Sequence, residues 1–139
     1  MKRWFFILFV GILVSGCASS RPIQQPHFEC RRGKPGPTGD RPVYVDAAPC
    51  LSAKHIAKAT IRGDAPNAML VIDLNKRGKQ TFMHLIKEMS QKEYVVLLLG
   101  GEHVPSHAVR SDPGGSTIIV GLGRLSQAQI RSAKALAEK

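Results

Sequence analysis

Three cysteines and one histidine-bearing stretch hold most of the chemically able side chains in this 139-residue chain. A thiol acts through its thiolate, which attacks carbon or sulfur and binds metals. Cys17, Cys30 and Cys50 form no C-x-x-C pair and have no clustered histidines nearby, so no metal centre is expected from them. As a disulfide, Cys30 and Cys50 would close a loop of about twenty residues, stabilising by roughly 3 kcal/mol on chain-entropy grounds. Two unpaired thiols are the alternative. His103 and His107 lie four apart beside Glu102. The preceding Gly100-Gly101 and the following Val104-Pro105 favour a hairpin arm, on which such positions sit about 13 Å apart, too far for one metal ion. Ser106, His107 and Asp112 have the residue types of a nucleophile set, but no G-x-S-x-G elbow accompanies them. The run Gly121 to Leu125 (GLGRL) ends a strand and lacks the spacing of a G-x-G-x-x-G phosphate loop. The expectation is a protein with no catalytic residue and no cofactor.

Cys17 reads differently once its neighbours are considered. Lys2 and Arg3 give a positive start, and Trp4 to Val14 is apolar apart from Gly11. About eleven residues is too short for a hydrocarbon core of about 30 Å but suits a signal-peptide core. The run ends in Val14-Ser15-Gly16-Cys17, which resembles the lipobox of bacterial lipoproteins. That resemblance implies cleavage before Cys17, a diacylglyceryl thioether on its sulfur, and an acyl group such as palmitate on the new amino terminus. Two or more chains are what stable anchoring needs, because a single acyl chain holds a membrane only marginally. Ala18 and Ser19 follow without an aspartate, a pattern resembling outer-membrane rather than inner-membrane sorting. Residues 1–16 are therefore expected to be a signal peptide, and the rest to face the periplasm.

From 17 to 41 the sequence reads as a lipid-anchored tether, with Pro22, Pro26, Pro35 and Pro37, several glycines and few apolar residues. A single small α+β domain is expected over 42–139, a mostly antiparallel sheet with helices packed on one face. Val43 to Val45 is a short strand, and Ser52 caps a short helix through Ala53, Ile56 and Ala57 to about Arg62. Ala68 to Leu74 is a buried strand. Asn75 caps a helix with an apolar stripe of Phe82, Leu85, Ile86 and Met89. Tyr94 to Leu99 is a strand that Gly100-Gly101 turns back into an arm from Glu102 to Arg110. Asp112 to Gly115 makes a turn, in which Gly114-Gly115 serve positive φ. Ser116 to Leu122 is a further strand, and the pair Ser126 and Gln129 opens a last helix through Lys139.

The formal charge is +10, from 20 basic and 10 acidic residues. Removal of Lys2 and Arg3 would leave 18 basic residues against the same 10, a net +8. Such a balance attracts anionic partners without bearing on the fold. Nucleic acid is excluded by the expected export and by the absence of a basic stripe interleaved with aromatics.

The expected domain also resembles a known family over roughly 70% of the chain. The segments VYVDAAPCLSAKHIAKATI, VIDLNKRGKQTFMHLIKEM, YVVLLLGGEHV and PGGSTIIVGLGRLSQAQIRSAKAL are similar to the head subdomain of the first periplasmic domain of SecD, with Gly78 and Phe82 in register. Gly100 stands where that family has aspartate, and His107 where it has a proline, with Pro105 shifted earlier. The resemblance implies a periplasmic α+β module able to contact polypeptide. It does not imply a translocation motor, since membrane spans and the base subdomain have no counterpart in the sequence. A membrane-tethered, non-enzymatic binding or accessory module for polypeptide or an envelope protein complex follows, with Gly100, Gly101, Glu102, His103, His107, Gly114 and Gly115 as the expected contact surface. The alternative is an envelope-structural lipoprotein whose basic surface binds anionic lipid, lipopolysaccharide or peptidoglycan.

Overall fold

The computed structural model describes residues 27–39 and 41–139; the expected signal peptide and Cys17 lie outside them. Met69–Leu74 (MLVIDL), Tyr94–Leu99 (YVVLLL) and Thr117–Gly121 (TIIVG) are nearly continuous apolar runs, as strands buried in a core require, and the chain pairs its strands into two sheets around that shared core. In chain order the elements are β1 (Phe28–Pro35), β2 (Pro42–Tyr44), β3 (Leu51–Ser52), a 3-10 turn (Ala53–His55), β4 (Ile56–Arg62), β5 (Met69–Leu74) and α1 (Lys76–Glu88). Then come β6 (Tyr94–Leu99), β7 (Glu102–His103), a second 3-10 turn (Ser106–Ala108), β8 (Val109–Ser111), β9 (Thr117–Gly121) and α2 (Gln127–Ala137). The fold is α+β, and each strand pairing among the described residues is antiparallel.

The first sheet runs β2-β1-β6-β7, with β3 sharing with β2 the edge of β1 opposite β6. The second runs β4-β5-β9-β8. Phe28, Cys30, Leu97 and Leu99 of the first sheet meet Leu70, Ile72, Ile118 and Val120 of the second in one core. Each large aliphatic side chain so buried contributes about 1.5–3 kcal/mol of transfer free energy. The helices bridge the sheets: α1 packs on β3 and β5, and α2 on β4 and β6. Their starts are fixed by side chains. Asn75 Oδ1 accepts the Gly78 N–H at 2.8 Å, and Ser126 and Gln129 cap each other's backbone.

Apart from β2, the order of elements recurs. A longer strand, a two-residue strand, a 3-10 turn, a hairpin and a helix occur as β1, β3, β4–β5, α1 and again as β6, β7, β8–β9, α2. The halves meet along β1·β6 in one sheet and β5·β9 in the other, so each contributes to both. Two hydrogen bonds mirror each other at that second junction: Leu74 N–H to Ser116 O at 2.8 Å and Leu122 N–H to Ala68 O at 2.9 Å.

Three expectations change. The tether does not extend to Arg41, because β1 begins at Phe28 and lies in the middle of the first sheet. Residues 53–62 form a 3-10 turn and β4 instead of a helix. A register shift between Ile56 and Lys58 offsets the inward residues and makes the spacing look helical. The arm after Gly101 pairs with β6 only through Glu102 and His103. Pro105 has no N–H to extend the ladder, and the second 3-10 turn carries the chain into the other sheet as β8. The helices consequently bridge two sheets and do not lie on one face of a single sheet.

Candidate functional site

The residues expected to form one contact surface fall in three places. Gly100 and Gly101 make the β6–β7 turn, with φ of 59° and 79°. A Cβ at Gly100 would sit 2.7 Å from Ser132 Oγ, so this turn is pressed against α2. Glu102 accepts the Ser126 hydroxyl at 2.5 Å, and Gln129 Nε2 donates to the carbonyls of Glu102 at 3.2 Å and His103 at 2.9 Å. His103 Nε2 lies 2.5 Å from the Tyr44 hydroxyl. His107 stands apart, exposed in the second 3-10 turn. Gly114 is exposed at the β8–β9 turn, whereas Gly115 (φ 65°) is buried where a Cβ would meet Met83 Sδ at 2.7 Å.

The remaining chemistry-bearing residues are engaged in holding the fold. Asp112 accepts from Ser116 N–H, Ser116 Oγ–H and Thr117 N–H, each at 2.8 Å. These bonds, the Thr117 amide foremost, hold its carboxyl below the ordinary aspartate range. It anchors a turn and does not orient His107. His55 is buried, and burial together with Lys54 and Arg77 lowers its imidazole pKa. Its carbonyl accepts Asn75 N–H at 2.9 Å, which sets α1 against the first 3-10 turn. Cys30 of β1 and Cys50, in the bend just before β3, are free thiols, with Cys50 N–H donating to Cys30 O at 2.8 Å. Burial, and secondarily the neighbouring Cys50, pushes the Cys30 thiol up to about 12. Among the described residues no group of three or more His, Cys, Asp or Glu is placed to hold a metal ion.

What the structure assembles instead is an apolar cleft of about 380 Å³ between α1 and β8. Phe82, Ile86 and Met89 of α1 form one wall, and Val95 and Leu97 of β6 form the floor. Val104, Val109 and Ile118 complete the apolar lining, with Ser106 and Ser111 at polar positions. Ile86 is 42% exposed although it belongs to the helix's apolar stripe.

The cleft is bordered by backbone with no strand partner. Strand β8 ends the second sheet, and β7 covers only Leu98 and Leu99 of β6. Asp112 N–H bonds to Thr117 O at 3.1 Å, and alternation along an antiparallel pair then turns the Ser111 amide to the open edge. Val104 N–H bonds to Leu97 O at 2.8 Å, and the same alternation turns the peptide groups of Val95 outward beyond the end of β7. The stripe on α1 is legible in the sequence; its opposite wall is not. The one available signal was Pro105, which ends the first sheet's ladder and frees β8.

Comparison with protein-family models, curated proteins and solved structures finds no match.

Proposed function

We propose that this chain is a lipid-anchored, periplasm-facing, non-enzymatic module that binds extended apolar polypeptide in the cleft between α1 and β8. The observation that carries the reading is an apolar trough whose rim presents unpaired strand backbone at Val95 and Ser111. An extended chain laid there would gain main-chain hydrogen bonds from a strand edge and seat alternate side chains in the trough. Affinity of this kind is tolerant of sequence, as an accessory to an envelope complex or to protein export requires. The likeness of the sequence to the SecD head, and the lipobox at Cys17, support the setting. The residues expected at the β6–β7 turn serve the site indirectly, by tying the turn to α2.

The test is a photocrosslinking side chain placed at Ile86 in intact cells. The expected result is a discrete polypeptide adduct that Val109→Asp abolishes, in a chain whose intact mass shows diacylglyceryl on Cys17. Absence of any polypeptide adduct removes the binding role, and a bare thiol at Cys17 removes the anchoring.

A further inference from the structure

The two sheets turn very different outer faces to solvent. On the first, the outward Arg31 is spoken for: it meets Glu29 at 3.1 Å and lies 4.8 Å from the Tyr44 ring centroid. On the second, register places Thr60, Val71, Ile119 and Arg110 in one row, with Arg62, Met69 and Gly121 beside it and Lys58, Asp73 and Thr117 on the other side. These positions alternate with the inward-facing Leu70, Ile72, Ile118 and Val120, so they face outward; Lys58, Arg62, Met69 and Arg110 are exposed, whereas Val71 is buried among its neighbours on this face. Lys58, Arg62 and Arg110 form no ion pair among the described residues. The one carboxylate in these rows, Asp73, accepts the Thr117 hydroxyl at 3.0 Å. The exposed apolar side chain of the face is Met69, 41% exposed and paired across the strands with Arg62, beside the half-buried Ile119. At one end the face dips into a hollow of about 440 Å³ lined by Asn67, Met69, His107, Arg110 and Ile119.

We propose that this outer face of the second sheet seats on the anionic phospholipid surface of the bilayer that holds the chain. The charge pattern commits the occupant. Cations flanking an exposed methionine fit a layer that is anionic at the headgroups and apolar just beneath, whereas a protein partner would be expected to bring its own pairing pattern to so flat a face. The hollow at Arg110 has donors for a lipid phosphate and an apolar side for its glycerol backbone. The proposal rests on the anchoring reading for one thing only, the nearness of a bilayer. Nine residues lie between Cys17 and His27, so the ten steps from one to the other reach at most about 36 Å. At that range a weak face-to-bilayer contact is intramolecular and needs little affinity of its own. Seated this way, the face is used by the membrane and the cleft, on the core side of the same sheet, is left to polypeptide.

The full chain, purified with its own lipid, is placed in vesicles of phosphatidylglycerol and phosphatidylethanolamine, or of phosphatidylcholine alone, and its amines are acetylated. Labelling of Lys58 is expected to slow about fivefold in the anionic vesicles relative to the neutral ones. Lys79 and Lys87 of α1 should label alike in both, and 0.5 M salt or the pair Arg62→Glu and Arg110→Glu should erase the difference. Equal labelling of Lys58 in both vesicles overturns the proposal, as does protection that requires added lipopolysaccharide. Failure here with lipid present on Cys17 falls on this face alone. Should the intact mass show no lipid, the same labelling on the chain mixed with excess vesicles has the same two outcomes.

Discussion

The two halves of the domain follow one plan and finish it differently. In the first, the hairpin strands β4 and β5 run seven and six residues, and α2 packs on β4 with Ala133 and Leu136 fully turned inward. In the second, β8 is three residues long and faces α1 across a cleft, with Ile86 left exposed and Met89 half-buried. A shortened strand thus converts a closed layer of core into an open apolar trough. The trough lies where the second half's hairpin is the shorter of the two. The lesson is that the sealed end should carry stability and the open end should carry binding.

Breaking the sealed end should have the largest effect. Leu136→Ala leaves a cavity under α2 and is expected to cost about 3 kcal/mol in denaturant unfolding. A loss below about 1 kcal/mol would mean α2 does not close that end. The next effect belongs to Gly78 in α1. Glycine to alanine in a helix interior ordinarily gains about 1 kcal/mol. Here a Cβ would lie 2.5 Å from His55 O and 2.9 Å from His55 Cβ. Gly78→Ala should therefore lose about 2 kcal/mol through overpacking, and a gain in melting temperature would contradict the packing of α1 on the first 3-10 turn.

A pH profile sharpens the comparison from inside the sealed core. Cys30 is buried with its thiol pushed up to about 12 from an ordinary value of 9.0. Its folded-state pKa is raised, so its contribution is whole below pH 9 and fades as pH climbs toward 12, where the unfolded chain ionises and the folded one does not. Under reducing conditions the stability difference between the parent and Cys30→Ala should shrink by about 1.4 kcal/mol per pH unit in that window. A constant difference would show that the thiol is solvent-accessible. The smallest effect is expected at the open end. Ile86→Ser should change stability by less than about 0.5 kcal/mol while sharply reducing polypeptide capture in cells. Loss of both together would make the trough ordinary core.

Much of this domain was legible because several patterns are uninterrupted. AMLVIDL, YVVLLL and STIIVGL have the density of apolar residues that buried strands require, and both helices carry their caps, Asn75 and Ser126 with Gln129, in plain sequence. β1 was not legible because its outward residues Glu29 and Arg31 pair with each other, and its inward series of Phe28 and Cys30 gives way to Arg32. Such a segment, followed by Pro35 and Pro37, has the composition of a tether even though it is a central strand. β4 was hidden by its bulge. The cleft was invisible for a different reason. Its walls lie on segments brought together only by the crossing of the chain between sheets, and nothing local to Ile86 tells that β8 opposite is short. The residues of the β6–β7 turn read in sequence as a contact surface, but Gly100, Glu102 and His103 are spent on tertiary contacts.

Amide exchange with and without an excess of an extended valine- and leucine-rich peptide tests the central claim most directly. Strand addition at the cleft predicts that the Val95 and Ser111 amides, both turned to open edges, slow severalfold on peptide addition while Val71 and Ile119 in the sheet centre stay unchanged. Unchanged exchange at Val95 and Ser111, or equal slowing throughout the domain, would contradict it.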